Sequence, residues 1–170
     1  PDPSDAMKTD GVSQELRSAH GLTGKPLRSD LLHMTLLHFG DIPGLQQATV
    51  DQACHIARRM SVRPFEITFD RVKSFHNPRT KQPFVLLASK GNAGLLLFQR
   101  ELEQTMKNAG LVHRKPLPFR PHATLVWDFA SVREMPLDAT MTWTAREFFL
   151  IFSVFGQSHH ECLGRWPLKG

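Results

Sequence analysis

Two apolar runs in this chain carry the same polar insertion. Residues 31–40 read "LLHMTLLHFG" and residues 119–127 read "FRPHATLVW". Each holds His-x-Thr-Leu in a stretch whose composition suits a β-strand. Side chains of a strand alternate between faces, so His33 and Thr35 share one face and Met34 and Leu36 the other. His122 and Thr124 pair in the same way, with Ala123 and Leu125 opposite. A fold that buries the apolar partners therefore presents two His-Thr pairs on a groove or sheet surface.

The surrounding elements repeat in order. "PSDAMKTDGVSQELRSAHGL" reads as a helix with caps at its start and Gly21 at its end. The first His run follows as a strand and closes in the turn "GDIPG". "LQQATVDQACHIARRMS" is an amphipathic helix with Leu45, Ala48, Val50, Ala53, Ile56, Ala57 and Met60 on one face. "FEITFDRVKSF" alternates as a half-buried strand, "NPRTKQP" is a connector and "FVLLASK" is a strand. "AGLLLFQRELEQTMKNAGL" is a third helix, and the prolines of "RKPLPFRP" forbid a fourth. "HATLVWDF" is the second His strand. "MTWTAREFFLIFSVF" divides into two strands around residues 145–146, and "HECLGRWPL" is the last. Helix, His strand, helix and strands, then helix, His strand and strands, hint at a duplicated unit.

Two such pairs suit in-line displacement at a phosphodiester. One imidazole takes a proton from the attacking oxygen and the other gives one to the leaving oxygen. A free imidazole titrates near ~6.5, so both roles are open near neutral pH. The threonine hydroxyls can donate to non-bridging phosphate oxygens. Arg120, two residues before His122, adds a fixed positive charge if the strand has begun by then. No step of this scheme needs a metal. A lone His-x-Thr in a strand is usually structural; two copies, each followed by leucine and in matching places, argue against chance. Lysine and arginine number 21 against 16 acidic residues, and the net charge of +5 favours an anionic partner.

"LRSDLLHMTLLHFG" and "FRPHATL" resemble the two signature motifs of the two-histidine phosphoesterase superfamily, in its branch of bacterial RNA 2′,3′-cyclic phosphodiesterases, also called 2′-5′ RNA ligases. "WTAREFFLIFSVFGQSHHECLGRWPL" resembles the last strands of that family. The resemblance spans nearly the whole chain. It implies one α+β domain over residues 1–170, bilobal, with two antiparallel sheets and outer helices around a pseudo-twofold cleft. Each lobe would supply one His-Thr pair. It implies that His33 is the proton donor and His122 the acceptor, that Thr35 and Thr124 hold phosphate, and that the reaction opens 2′,3′-cyclic phosphate ends of RNA to 2′-phosphates. Reversible 2′-5′ joining is a further implication. A small cyclic nucleotide or a 2′-5′ oligoadenylate is the alternative substrate, and a non-catalytic nucleotide-binding module is the alternative of another class.

The chain departs from the family pattern at three places. Trp127 stands where many relatives have arginine, so Arg120 compensates or Trp127 stacks on a base. His38 stands where an apolar residue is common. Relatives open with an apolar strand before a segment like "PDPSDAM", so a strand is expected ahead of it. Phe75 falls where the family carries a cleft aromatic, and either stacks on a nucleobase or ends a strand in the core.

Lys73, Arg79 and Lys81 around it, and Lys25, Arg28, Arg114 and Lys115 around the motifs, suit either backbone phosphates or solvent. His159, His160 and Glu161 lack metal-ligand spacing. Neither a P-loop nor Gly-x-Gly-x-x-Gly occurs. Expected, then, are no cofactor and no metal, no membrane, and nucleotides or RNA as partners. With two distant cysteines, Cys54 and Cys162, and a polar acidic N-terminal segment, a reduced cytoplasmic monomer is expected.

Overall fold

In the computed structural model, residues 1–40, 44, 46–76, 80–112, 118–153 and 160–169 are described. The turn "GDIPG" lies mostly outside them, and Leu45, Arg79, Arg114, Lys115 and His159 lie outside them entirely. The chain has helices α1 (Pro3–Ala19), α2 (Gln47–Arg59) and α3 (Ala93–Asn108). Its strands are β1 (Phe65–Ser74), β2 (Gln82–Leu87), β3 (His122–Asp128), β4 (Met135–Ala145), β5 (Glu147–Ser153) and β6 (His160–Pro167). They form an antiparallel α+β fold with two open sheets, ordered β3-β2-β1-β4 and β5-β6. No described helix is long and apolar enough to cross a membrane.

Contacts divide the chain into two compact units. The first takes Pro1–Leu36, Glu66–Ala93 and Pro118–Thr144, and the second takes Leu37–Phe65, Gly94–Leu117 and Ala145–Gly170. Both His-Thr pairs fall in the first unit.

In the first unit, α1 is set by its ends rather than by an apolar stripe. Asp2 caps it by accepting from the Asp5 backbone N–H at 2.9 Å, and Pro3 opens the first turn. Gly21, at φ 62°, lets the chain reverse so that the Leu22 N–H donates to the Arg17 carbonyl at 2.9 Å. The buried side chains of α1 include Asp5, Thr9 and Ser13. Two of them are satisfied by β4: Asp5 accepts from the Thr144 N–H at 2.8 Å, and the Thr9 hydroxyl accepts from the Trp143 indole at 2.9 Å. Trp143 stands edge-on to Phe69 of β1, and His20 edge-on to Phe84 of β2. Central β2 is buried from Gln82 through Leu87 apart from half-buried Pro83, which explains its continuous apolar run.

The second unit holds α2, most of α3 and the β5-β6 hairpin. Phe98 of α3 packs against Phe65 and Phe148, and Phe148 against Trp166. Gly94 keeps α3 close, since a Cβ there would lie 2.9 Å from that of Phe65. Ala53, Cys54 and Ala57 are the buried stripe of α2.

One expected element is absent. The run over residues 31–39 is not a strand: a 3-10 turn, Ser29–Leu31, leads into residues 32–40, which are irregular. Its alternation is still visible in burial, with Leu32 buried, His33 and Thr35 exposed, and Met34 and Leu36 half-buried. Apolar alternation reports which side chains face inward. A strand also needs a backbone ladder, which the pattern does not encode.

Candidate active site

The second His-Thr pair stands on a sheet face defined by register. His122 pairs with Leu87 and Thr124 with Val85. Leu87 pairs in turn with Arg71 and Val85 with Lys73. Directly opposed residues of an antiparallel sheet share a face, so Arg71, Lys73, His122 and Thr124 lie together. Ala123 and Leu125 point into the core and are almost wholly buried.

A β-bulge then changes which residues join this face. Phe84 pairs with Val126 but Val85 with Thr124, leaving Leu125 as an extra residue on β3. Strict alternation from Thr124 would turn Trp127 inward. With the bulge, Leu125, Val126 and Asp128 are buried and Trp127 is 47% exposed. Trp127 pairs with Pro83, opposite Phe75, whose N–H donates to the Pro83 carbonyl at 3.0 Å. Phe75 presents its ring edge-on to His122, centroids 4.8 Å apart. Four of the residues singled out from sequence, His122, Thr124, Trp127 and Phe75, therefore come together on one face. Phe129, two residues on, is exposed under the Lys81 ammonium at 5.7 Å.

The first pair is tied to the same strand by the segment that precedes it. The Leu27 N–H donates to the Leu125 carbonyl at 2.7 Å, and Pro26 bridges Val126. Buried Asp128 holds the segment's other end: its Oδ2 accepts from the N–H groups of Thr23 at 2.7 Å and Gly24 at 2.6 Å. Its Oδ1 accepts from the Ala130 N–H at 2.8 Å. The N–H groups of Ala130, Gly24 and Thr23 hold this carboxyl below the usual range, and outweigh the opposing effect of burial. A Cβ on Gly24 would collide with the Trp127 carbonyl and lie 2.8 Å from Val126 Cγ1, so only glycine fits there. Residues 23–27 thus form a strap laced to β3 just beyond His122 and Thr124, and the chain continues from it to His33.

Both imidazoles are oriented alike. His33 Nδ1 lies 2.8 Å from the Leu31 carbonyl oxygen, and His122 Nδ1 lies 2.7 Å from that of Arg120. A carbonyl only accepts, so Nδ1 carries the hydrogen and the lone pair of each neutral ring is on Nε2.

Sequence reasoning missed these two carbonyls, because a backbone acceptor leaves no residue signature. It also missed Asp128, whose signal was a lone acid between two aromatics, and Gly24. Arg120 itself is exposed and precedes the strand, which begins at His122, so the register does not carry its side chain onto the His122 face. Thr35 and His38 are exposed on the irregular segment. Among the described residues no group of three or more His, Cys, Asp or Glu is arranged to hold a metal ion.

The profile of the 2′-5′ RNA ligase superfamily matches residues 3–147. The chain belongs to the 2′-5′ RNA ligase superfamily. Solved structures agree on the fold of this superfamily member. The crystal structure of E. coli LigT complexed with 3′-AMP is 23% identical, with a TM-score of 0.72 over 96% of this chain and 92% of that one. A crystal structure described only as a phosphoesterase is also 23% identical, with a TM-score of 0.73 over 96% and 93%. The TT0787 protein of Thermus thermophilus is 22% identical, with a TM-score of 0.66 over the same shares, 96% and 93%. A search of curated proteins finds no match. Superfamily membership makes the chain one of the two-histidine phosphoesterases and ligases, the class its paired motifs resemble.

Proposed function

We propose that this superfamily member opens 2′,3′-cyclic phosphate ends of RNA or oligonucleotides to 2′-phosphates. The observation that carries the reading is the matched hold on two imidazoles. Leu31 and Arg120 each supply a carbonyl, at 2.8 and 2.7 Å, that fixes Nδ1 and assigns the chemistry to Nε2. Support for a nucleotide ligand comes from E. coli LigT, which has been crystallised with 3′-AMP, NADP+ and ATP.

In the proposed reaction His122 Nε2 takes a proton from water as the water oxygen bonds to phosphorus. The bond from phosphorus to the ribose 3′ oxygen breaks on the opposite side, and protonated His33 delivers its Nε2 proton to that oxygen. The water's remaining O–H stays on phosphorus, giving a 2′-phosphate and a free 3′ hydroxyl. Exchange with solvent returns each histidine to its starting state. The hydroxyls of Thr35 and Thr124 donate to the non-bridging oxygens, where negative charge builds, and Arg120 adds positive charge. A 5′ hydroxyl in place of water gives 2′-5′ joining by the same proton transfers. Trp127 and Phe75 border the nucleoside. No step passes through a metal ion, and the enzyme acts as a cytoplasmic monomer.

The deciding experiment incubates the protein with RNA ending in a 2′,3′-cyclic phosphate, with chelator present, and identifies the new end group. A terminal 2′-phosphate is expected. A 3′-phosphate would reverse the assignment of the leaving oxygen. Turnover lost to chelation and restored by a divalent ion would end the metal-independent scheme.

A further inference from the structure

The face that carries His122 and Thr124 also carries two cations that the reaction above does not use. Arg71 lies in the cross-strand row of His122, through Leu87, and Lys73 lies in the row of Thr124, through Val85. Two strand spacings separate each cation from its row partner, about 10 Å. Phe75, the next alternate residue on β1, reaches the His122 ring, which fixes the shared face independently of register. One carboxylate joins the two cations: Glu134 Oε1 lies 2.8 Å from Arg71 Nε, and Oε2 lies 3.1 Å from Lys73 Nζ.

Lys73 and Arg71 hold the Glu134 carboxyl below its usual range, so it is ionised at neutral pH and leaves the trio with one net positive charge. The side chains of Arg71, Lys73 and Glu134 are 34%, 24% and 43% exposed, so an anion from solution can reach them. Exposed pairs of this kind contribute little to stability, which leaves them easy to exchange.

We propose that Arg71 and Lys73 form a second phosphate subsite. It takes the backbone phosphate of the nucleotide upstream of the cyclic end, and Glu134 keeps the two cations in place until that phosphate displaces it. The guanidinium fork suits a phosphate's paired oxygens, and the ammonium adds a point charge beside it. The subsite rests on the reading of the His122–Thr124 face as the seat of the reacting phosphate, and it makes the preferred substrate a single-stranded oligonucleotide rather than a mononucleotide.

The test is a binding measurement without turnover, comparing tetra-adenylate ending in a 3′-phosphate with 3′-AMP over a range of salt. The wild-type protein should bind the tetranucleotide more tightly. In the Arg71→Ala/Lys73→Ala double variant the ratio of the two affinities should fall at least about tenfold, as charged hydrogen bonds are lost. The slope of log affinity against log salt should flatten by roughly 0.7 for each phosphate contact removed. Glu134→Gln removes the competing carboxylate and should raise the ratio; this arm stands even if the double variant does not fold. A folded double variant with the wild-type ratio overturns the subsite, as does a Glu134→Gln protein that binds the tetranucleotide less well. Hydrolysis of a cyclic-phosphate end is read separately. Tetranucleotide binding that depends on Arg71 and Lys73, without such hydrolysis, keeps the subsite and removes the activity. Hydrolysis with a ratio indifferent to both residues does the reverse.

Discussion

The imidazoles of His33 and His122 are held by the same device. In each, Nδ1 faces the backbone carbonyl two residues upstream, that of Leu31 at 2.8 Å and that of Arg120 at 2.7 Å. One sits on an irregular segment and the other at the first residue of β3, yet the local geometry is shared. The shared hold gives both rings the same tautomer and leaves Nε2 as the nitrogen for the proposed proton transfers. The distinct roles proposed for them must then come from where each Nε2 would stand against the phosphate.

The leaving group separates those roles. An alkoxide leaves poorly and needs an acid, whereas a nitrophenolate leaves readily without one. His33→Ala should lose about 100-fold or more on cyclic-phosphate RNA, and much less on a nitrophenyl phosphodiester. His122→Ala should lose activity on both, because attack still needs a base. The opposite pattern swaps donor and acceptor. Full activity in either folded variant sinks the two-histidine mechanism.

The residues proposed to hold the phosphate, Thr35, Thr124 and Arg120, would act on the same transition state by a different route. Thr35→Ala and Thr124→Ala should each slow turnover by roughly 10- to 1,000-fold, as loss of an oxyanion donor does. Arg120→Ala should weaken binding of phosphate-bearing ligands, with Arg120→Lys restoring part of it, since the guanidinium fork is lost. Unchanged kinetics in a folded double threonine variant would remove both hydroxyls from the site.

How much of this could be read from sequence depends on what kind of signal each feature leaves. Helix α1 was legible from the capping residues at its start and Gly21 at its end, although its buried Asp5, Thr9 and Ser13 make it look solvent-facing. β1, β2 and β3 were legible because their alternation or apolar runs match their burial. The first His run failed as a strand because alternation says nothing of backbone partners. The bulge at Leu125 was invisible for a related reason. It depends on an extra residue opposite Phe84 and Val85, and a count along one strand cannot detect that. His122, Thr124, Phe75 and Trp127 nevertheless share a face, and it was motif and resemblance, not spacing, that singled them out.

Asp128 makes the strap pH-sensitive in a defined direction. Its folded carboxyl lies below the usual range, chiefly through the N–H groups of Ala130 and Gly24. The group therefore stabilises the fold fully above its unfolded pKa of about 3.9. That contribution is lost as pH falls through the lower folded value. The difference in melting temperature between wild type and Asp128→Asn should be largest at about pH 6 and shrink as pH drops below about 4. A difference that grows on acidification would contradict the assignment.

Gly24 tests the strap sterically. Gly24→Ala brings a methyl against the Trp127 carbonyl and Val126 Cγ1, both part of β3. Overpacking of this kind costs about 1–3 kcal/mol, and the strap can relieve it only by leaving the strand. Faster hydrogen exchange at Leu27, whose N–H is bonded to the Leu125 carbonyl, should accompany the loss. Unaltered exchange there would mean that the strap absorbs the methyl without moving.

Trp127 carries the last prediction, because its position depends wholly on the bulge. Under strict alternation from Thr124, without the bulge, it would point into the core. With it, a large aromatic stands 47% exposed in the row of Pro83 and Phe75, next to the face of His122 and Thr124. An indole in that place offers a flat surface to a base, where an arginine would offer charge to a phosphate. Stacking of one base on an aromatic side chain is worth about 1–3 kcal/mol, so Trp127→Ala should weaken nucleotide binding by roughly 5- to 150-fold. Trp127→Phe should keep most of the affinity, since the π face survives. Trp127→Arg separates the two functions: it should bind with a steeper salt dependence and lose the tolerance for base identity that stacking gives. If alanine binds as well as tryptophan, the ring is not a stacking surface. If arginine restores binding fully with the wild-type salt slope, the position works through something other than either property.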